Sequence, residues 1–216
     1  MSRNRAFTLL ELLVVMAIIG LIAALLLTAI SRAKAAAQAI ACRNNLKQWG
    51  VATHLFVAEN EDRLPKDGTP NGTSVNEGWY IDLPRILQLP TYHEMTWRTN
   101  AHIDPGHSIW ICPANPRRSD GSMLFHYCLN EHINGSGSGN QAKLGSIIRP
   151  IQTVWLFDNG KTNGVAQQNN VHPNLHNHGA QFVFLDGHVA RFRNTAYWDF
   201  KHDKGLTNNP ELAWFP

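Results

Sequence analysis

Glu11 is a carboxylate at the head of an apolar run, since Leu12 to about Ile30 holds no charge and a single glycine, Gly20. In hydrocarbon a charged side chain costs about 2.5 to 3.5 kcal/mol near the bilayer centre and less toward an end, so it marks a partner or a function unless it snorkels to the head groups. A second chemical set lies near the C-terminus. His172, His176, His178 and His188, with Asp158 and Asp186, supply imidazole and carboxylate enough for zinc or calcium. The helical spacing of a zincin is missing and the imidazoles sit in a Gly/Asn-rich loop, so no metal ligand is assigned and no cofactor is expected. Cys42, Cys112 and Cys128 allow one disulfide and a leftover thiol, or three buried thiols. Gly137-Ser138-Gly139 lacks the strand-turn-helix setting of a nucleophile elbow, and the chain carries neither a P-loop nor a dinucleotide fingerprint.

The elements that must carry these groups begin with a helix. Apolar residues fill nearly twenty positions after Glu11, enough to cross a hydrocarbon layer about 30 Å thick. The run is longer than the 7 to 15 residues of a secretory h-region, although Arg3 and Arg5 form a positive leader. No proline occurs before Pro65, Ser31 to Ala41 is alanine-rich, and Cys42, Leu46, Trp49, Thr53 and Phe56 recur at spacings of four and three. The pattern predicts one helix from Phe7 to about Glu59, roughly 80 Å long at 1.5 Å per residue. Its second half has a stripe to bury against a sheet, and its first half must find lipid or copies of itself. Short apolar runs then alternate with turn residues, predicting strands at Ser108 to Cys112, Leu124 to Leu129, Thr153 to Phe157, Gln181 to Leu185 and His188 to Phe192. Asp186-Gly187 between the last two reads as a type I′ hairpin turn. Loops are expected at 66–78, 134–140 and 159–179, the last long enough to be functional.

With 216 residues the chain has room for one anchored domain of ordinary size. Its formal charge is +3, or +1 once Arg3 and Arg5 leave with the leader, and Lys and Arg are scattered rather than striped. A nucleic-acid partner is therefore not expected. The aromatics Trp79-Tyr80, Tyr92, Trp97, Trp110, Trp155, Tyr197-Trp198 and Trp214 suit a core or subunit contacts.

Ala6-Phe7-Thr8-Leu9-Leu10-Glu11 followed by the apolar run resembles the processing site of type IV prepilins and type II secretion pseudopilins, with Ala6 where glycine is usual. Two further blocks resemble a large pseudopilin-like subfamily. One runs from Ser31-Arg32-Ala33-Lys34 through Cys42-Arg43-Asn44-Asn45-Leu46-Lys47-Gln48-Trp49-Gly50 to Asn60-Glu61-Asp62-Arg63-Leu64-Pro65. The other is His176 followed by Asp186-Gly187, the C-terminal H-X9-DG signature. Thr28 stands where that subfamily commonly has proline, so this helix is expected to run straighter.

The resemblance implies an α+β, pilin-like fold: a long N-terminal helix, its first half in the membrane, packed on a small antiparallel sheet with long loops. It implies a leader at 1–6, a transmembrane and assembly half-helix at 7–30, and an extracytoplasmic domain at 31–216. A prepilin peptidase would cut between Ala6 and Phe7 and methylate Phe7, leaving Glu11 to neutralise the α-amino group of a neighbouring subunit, whose ordinary pKa is near 8. The partners implied are that peptidase, the bacterial inner membrane and other pilin or pseudopilin subunits. The N-terminus is then cytoplasmic, the domain periplasmic, and the subunit able to leave the membrane within a filament. Export to an oxidising compartment and the subfamily's cysteine positions imply a Cys42–Cys112 disulfide, with Cys112–Cys128 as rival. The implied role is structural, not enzymatic. The competing reading is an anchored extracytoplasmic binding protein or metal-dependent enzyme acting through the His-rich loop, where the resemblance to calcium-binding pseudopilins draws attention to Asp158 and Asn159.

Overall fold

The computed structural model describes residues 9–135 and 140–216. They fall into two compact units, one ending at Ala37 and the other beginning at Gln38. Helix α1 is Leu9–Glu59, close to the expected span. At Thr28 the helix is unbroken, and the Thr28 hydroxyl donates to the Leu25 carbonyl one turn back, 2.9 Å away. Its C-terminus closes as a Schellman motif. Glu61 takes a left-handed φ of 55°, and the Asp62 N–H reaches back to the Val57 carbonyl at 3.1 Å. The buried face of α1 in the second unit is Cys42, Leu46, Trp49, Gly50, Ala52, Thr53 and Val57. Phe56, expected in that stripe, is half-buried.

The main sheet has the order β3-β1-β2-β4-β5, from β1 (Tyr127–Asn130), β2 (Val154–Asp158), β3 (Val165–Ala166), β4 (Gly179–Phe184) and β5 (Val189–Arg193). The β1–β2, β2–β4 and β4–β5 pairs are antiparallel, as expected, but β3 joins β1 in parallel, making the sheet mixed. Side chains alternate between two cores. Tyr127, Leu129 and Val183 enter the core that holds the α1 stripe, whereas Cys128, Ala180, Phe182 and Phe184 enter one with Tyr197, Trp198, Leu212 and Trp214. The β2–β4 register shifts between Val154 and Leu156. This irregularity lets the consecutive residues Trp155 and Leu156 both enter the α1 core, which strict alternation would forbid.

Two expectations fail for physical reasons. Ser108 to Cys112 is a turn rather than a strand, because its carbonyls are taken by α1 side chains: Asn45 donates to Ser108 and Ile111, and Trp49 to Ile109. Helix α2 (Trp79–Ile86), which carries Pro84 in its interior, is not among the elements the sequence pattern predicts. A small ribbon of β6 (Trp198–Asp199) and β7 (Lys204–Gly205) was likewise not foreseen.

Candidate functional sites

In the first unit, every described residue from Leu9 to Ala37 is exposed. Leu9 is 88% exposed, and Leu10, Leu13, Leu21, Leu25 and Leu27 follow it at over 60%. This surface exists because the residues are apolar all round rather than along one stripe, leaving no polar face for water. Leu9 to Ile30 in helix covers about 33 Å at 1.5 Å per residue, matching a hydrocarbon layer of about 30 Å. The segment suits single-pass anchoring. Glu11 lies in the first turn of α1 and is exposed, where an acid complements the positive end of the helix dipole. The expected cleavage point, Ala6 and Phe7, lies outside the described residues.

In the second unit, His176 is 4% exposed and Asp158 is fully buried at the end of β2. Their side chains meet, His176 Nε2 standing 3.0 Å from Asp158 Oδ2. The Gln181 N–H donates to the same oxygen at 2.8 Å. The backbone delivers His176 there by a tight reversal: Asn177 and His178 are both left-handed, with φ of 51° and 60°, and the Leu175 and His176 N–H groups both donate to the Gly179 carbonyl. Gly179 has no room for a Cβ, which would run into the Phe192 carbonyl. The Arg191 guanidinium holds the His176 carbonyl at 2.7 Å. Among the described residues, Asp158 Oδ1 and His176 Nδ1 find no hydrogen-bond partner.

Beside this pair a disulfide joins Cys42 of α1 to Cys112, and Cys112 Sγ lies 3.6 Å from His176 Nε2. Cys128 is a free thiol, buried on the opposite face of the sheet, and burial pushes its pKa well up. The Cys112 N–H donates to Nδ1 of His126, whose Nε2–H in turn donates to the Arg117 carbonyl. Burial lowers the His126 pKa to about 4, so this imidazole is a neutral structural link.

Asp186 and Gly187 occupy a different place. The Gly187 N–H bonds to the Phe184 carbonyl at 2.8 Å and the Phe184 N–H to the His188 carbonyl, so the connection is a three-residue loop. Positive φ is confined to Gly187, at 82°. This corrects the expected type I′ turn: Leu185 is drawn into the core and Gly187 follows as the left-handed residue of a bulge. Helix α1 sits on this turn, Lys47 Nζ donating to the Gly187 carbonyl at 2.7 Å. A Cβ on Gly187 would stand 3.0 Å from the His54 ring, and one on Gly50 would stand 2.9 Å from Val183. Asp186 caps the turn by accepting from the His188 backbone and ring.

The two halves of the signature therefore do separate work, His176 at the disulfide and Asp186-Gly187 under α1. The other loop histidines do not converge: His188 pairs with Asp186, and the His172 ring accepts from the Asn174 N–H. Among the described residues, the one group of three or more His, Cys, Asp or Glu close enough to hold a cation is Cys42, Cys112 and His176. Sequence reasoning missed that grouping because the three residues are far apart in the chain. Asn159 is buried and structural, donating from Nδ2 to the Phe125 and Asn163 carbonyls.

Residues 1–27 match the family model of the prokaryotic N-terminal methylation motif. No curated protein and no solved structure matches the chain. The motif coincides with the exposed apolar half of α1, a similarity to type IV pilin-like and pseudopilin-like proteins that is confined to this segment.

Proposed function

We propose that the chain is a structural subunit, a pseudopilin or minor pilin, of a type II secretion system or a type IV pilus-like filament. A prepilin peptidase removes residues 1–6 and methylates the new amine of Phe7. Residues 7–30 anchor the subunit in the bacterial inner membrane, N-terminus in the cytoplasm, and later become the assembly surface. Residues 31–216 form the periplasmic domain. Glu11, fifth in the mature chain, offers its carboxylate to the α-amino group of an adjoining copy, which offsets the cost of each charge in an apolar setting.

One observation carries this reading: the methylation motif lies on a helix segment whose described side chains are all exposed and, Glu11 apart, apolar around the full circumference. Outside lipid such a surface becomes compatible with water only by packing against others like it. The test is the mass of the mature protein purified from membranes. A chain beginning at mono-methylated Phe7 is expected. An intact Met1, or a cut near Ala29 as a signal peptidase would make, overturns the proposal.

A further inference from the structure

The second unit carries a cationic cleft at the end where α1 enters it. A cavity of about 380 Å3 is lined by Asn177, His178, Arg191, Arg193, Asn194 and Thr195, with no acid and no apolar side chain among them. Its place follows from register. Gly50 of α1 lies against Val183 of β4, Arg43 donates to the Val189 carbonyl of β5, and the Ala39 carbonyl accepts from the Gln181 side chain at 2.7 Å. Descending α1 from Gly50 to Ala39 therefore matches running along β5 from Val189 toward Arg193. Gln181 pairs with Arg191 and Gly179 with Arg193, so the cleft lies at and beyond the level of Ala39, the second residue of this unit. From Ile30, where the apolar run ends, to Gln38 is eight residues of chain, about 12 Å in helix and at most about 29 Å extended. The cleft thus belongs to the part of the second unit tethered nearest the apolar segment.

Arg191 and Arg193 stand two apart on β5, so they share a face of the sheet about 6.6 Å from each other along the strand. Arg191 is fixed there: its Nε donates to the His176 carbonyl at 2.7 Å and its Nη2 to the Asn177 carbonyl. Both contacts are to neutral carbonyls, so the charge is not cancelled. Among the described residues, neither Arg191 nor Arg193 forms an ion pair with an acid, and the Arg193 guanidinium makes no hydrogen bond. Two like charges are held side by side and wait for an anion. Guanidinium groups present planar forks of donors that match phosphate oxygens, and His178, Asn177, Asn194 and Thr195 offer further donors around the same space. We propose that this cleft binds the phosphate of an anionic phospholipid headgroup, seating the second unit on the membrane that anchors α1. The inference rests on the anchored reading given above, and the lipid is favoured over free phosphate because the short tether from Ile30 keeps the cleft near a surface dense in headgroups.

The test places the full chain in nanodiscs of phosphatidylcholine alone and of equal parts phosphatidylcholine and phosphatidylglycerol, and follows hydrogen exchange of the backbone amides at 177–178 and 191–195. Exchange is expected to slow about tenfold in the anionic discs. The slowing should be lost in Arg193→Ala and kept in Arg63→Ala, which removes an exposed cation just past the other end of α1. Equal exchange in the two discs, slowing that survives Arg193→Ala, or slowing that is lost in Arg63→Ala each overturns the proposal. If Arg193→Ala melts below the wild type, Arg193→Gln decides on the same criterion. Inorganic phosphate added to the phosphatidylcholine discs separates the two sources: it should leave exchange unchanged, and full protection by phosphate alone would make this a free-anion site and refute the lipid. A chain that leaves the discs would instead refute the anchored reading, and the headgroup assignment with it.

Discussion

Asp67 is a carboxylate placed where water cannot reach it well. Only 7% of it is exposed, it accepts from Asn134 Nδ2 at 2.6 Å, and burial raises its pKa to about 7 from an ordinary 3.8. The folded chain therefore holds this proton more tightly than the unfolded chain. Between pH 4 and 7 folding takes up a proton, so the group's contribution to stability falls as pH rises. Asp67→Asn, a neutral isostere, should match the wild type below pH 4 and exceed it by about 2 to 4 kcal/mol at pH 8. Thermal melts of both proteins in detergent across that range test this, and parallel curves would contradict it. His126 works in the opposite sense: with a pKa lowered to about 4, it costs stability as pH falls from 6.5 toward 4. None of this is legible in the sequence, where Asp67 is one acid in a loop of lysine, glycine and threonine. The shift comes from burial, against which the Asn134 hydrogen bond works, and both are set by the tertiary fold.

Element by element, the periodic parts of the chain were the readable ones. Leu9–Glu59 follows from the absence of proline before Pro65 and from the Cys42, Leu46, Trp49, Thr53 spacing, and four of the five predicted strands lie within a few residues of β1, β2, β4 and β5. Ser108 to Cys112 misled because its apolar pattern is that of a strand, yet its backbone bonds go to side chains of α1, a long-range choice no local window records. The same limit hid the type of the Asp186-Gly187 turn, where the pull of the core on Leu185 decides the geometry. Gly187 is the point at which turn and helix constrain each other. Its φ of 82° disfavours any side chain, and His54 and Lys47 of α1 close over it. Gly187→Ala should destabilise the folded protein by about 1 to 3 kcal/mol, combining left-handed strain of about 1 to 2 kcal/mol with the contact to His54. That corresponds to a fall in Tm of about 2 to 12 °C for a protein of this size. An unchanged Tm would mean that α1 does not seat on the turn as described.

For the molecule as a whole, the exposed apolar surface from Leu9 to Ile30 must be covered by lipid or by other copies, and the proposed role uses each in turn. Glu11→Val tests the link between them. Valine removes the cost of a carboxylate in hydrocarbon, about 2.5 to 3.5 kcal/mol at most, so anchoring should be retained or strengthened. Processing at Phe7 should be unaffected, while crosslinking between copies through cysteines introduced in 9–30 should drop about tenfold or more. Unchanged crosslinking would remove Glu11 from the assembly contact. The sequence alone exposed this surface, because a side-chain pattern apolar on every face needs no tertiary information to interpret. The second unit's Cys42, Cys112, His176 and Asp158 needed the fold, being scattered over 134 positions.

Thr28 carries a mechanical implication. With no proline at that point, the backbone bonds of α1 continue through it, and the threonine hydroxyl adds a further tie to Leu25. A kinked or locally melted rod can lengthen under tension by unwinding a few residues at its weak place. Among the described residues of the first unit that place is missing. In a filament of such subunits, an axial load would be borne by sliding of one copy past the next, so the polymer should resist stretching up to the force at which its lateral contacts give way.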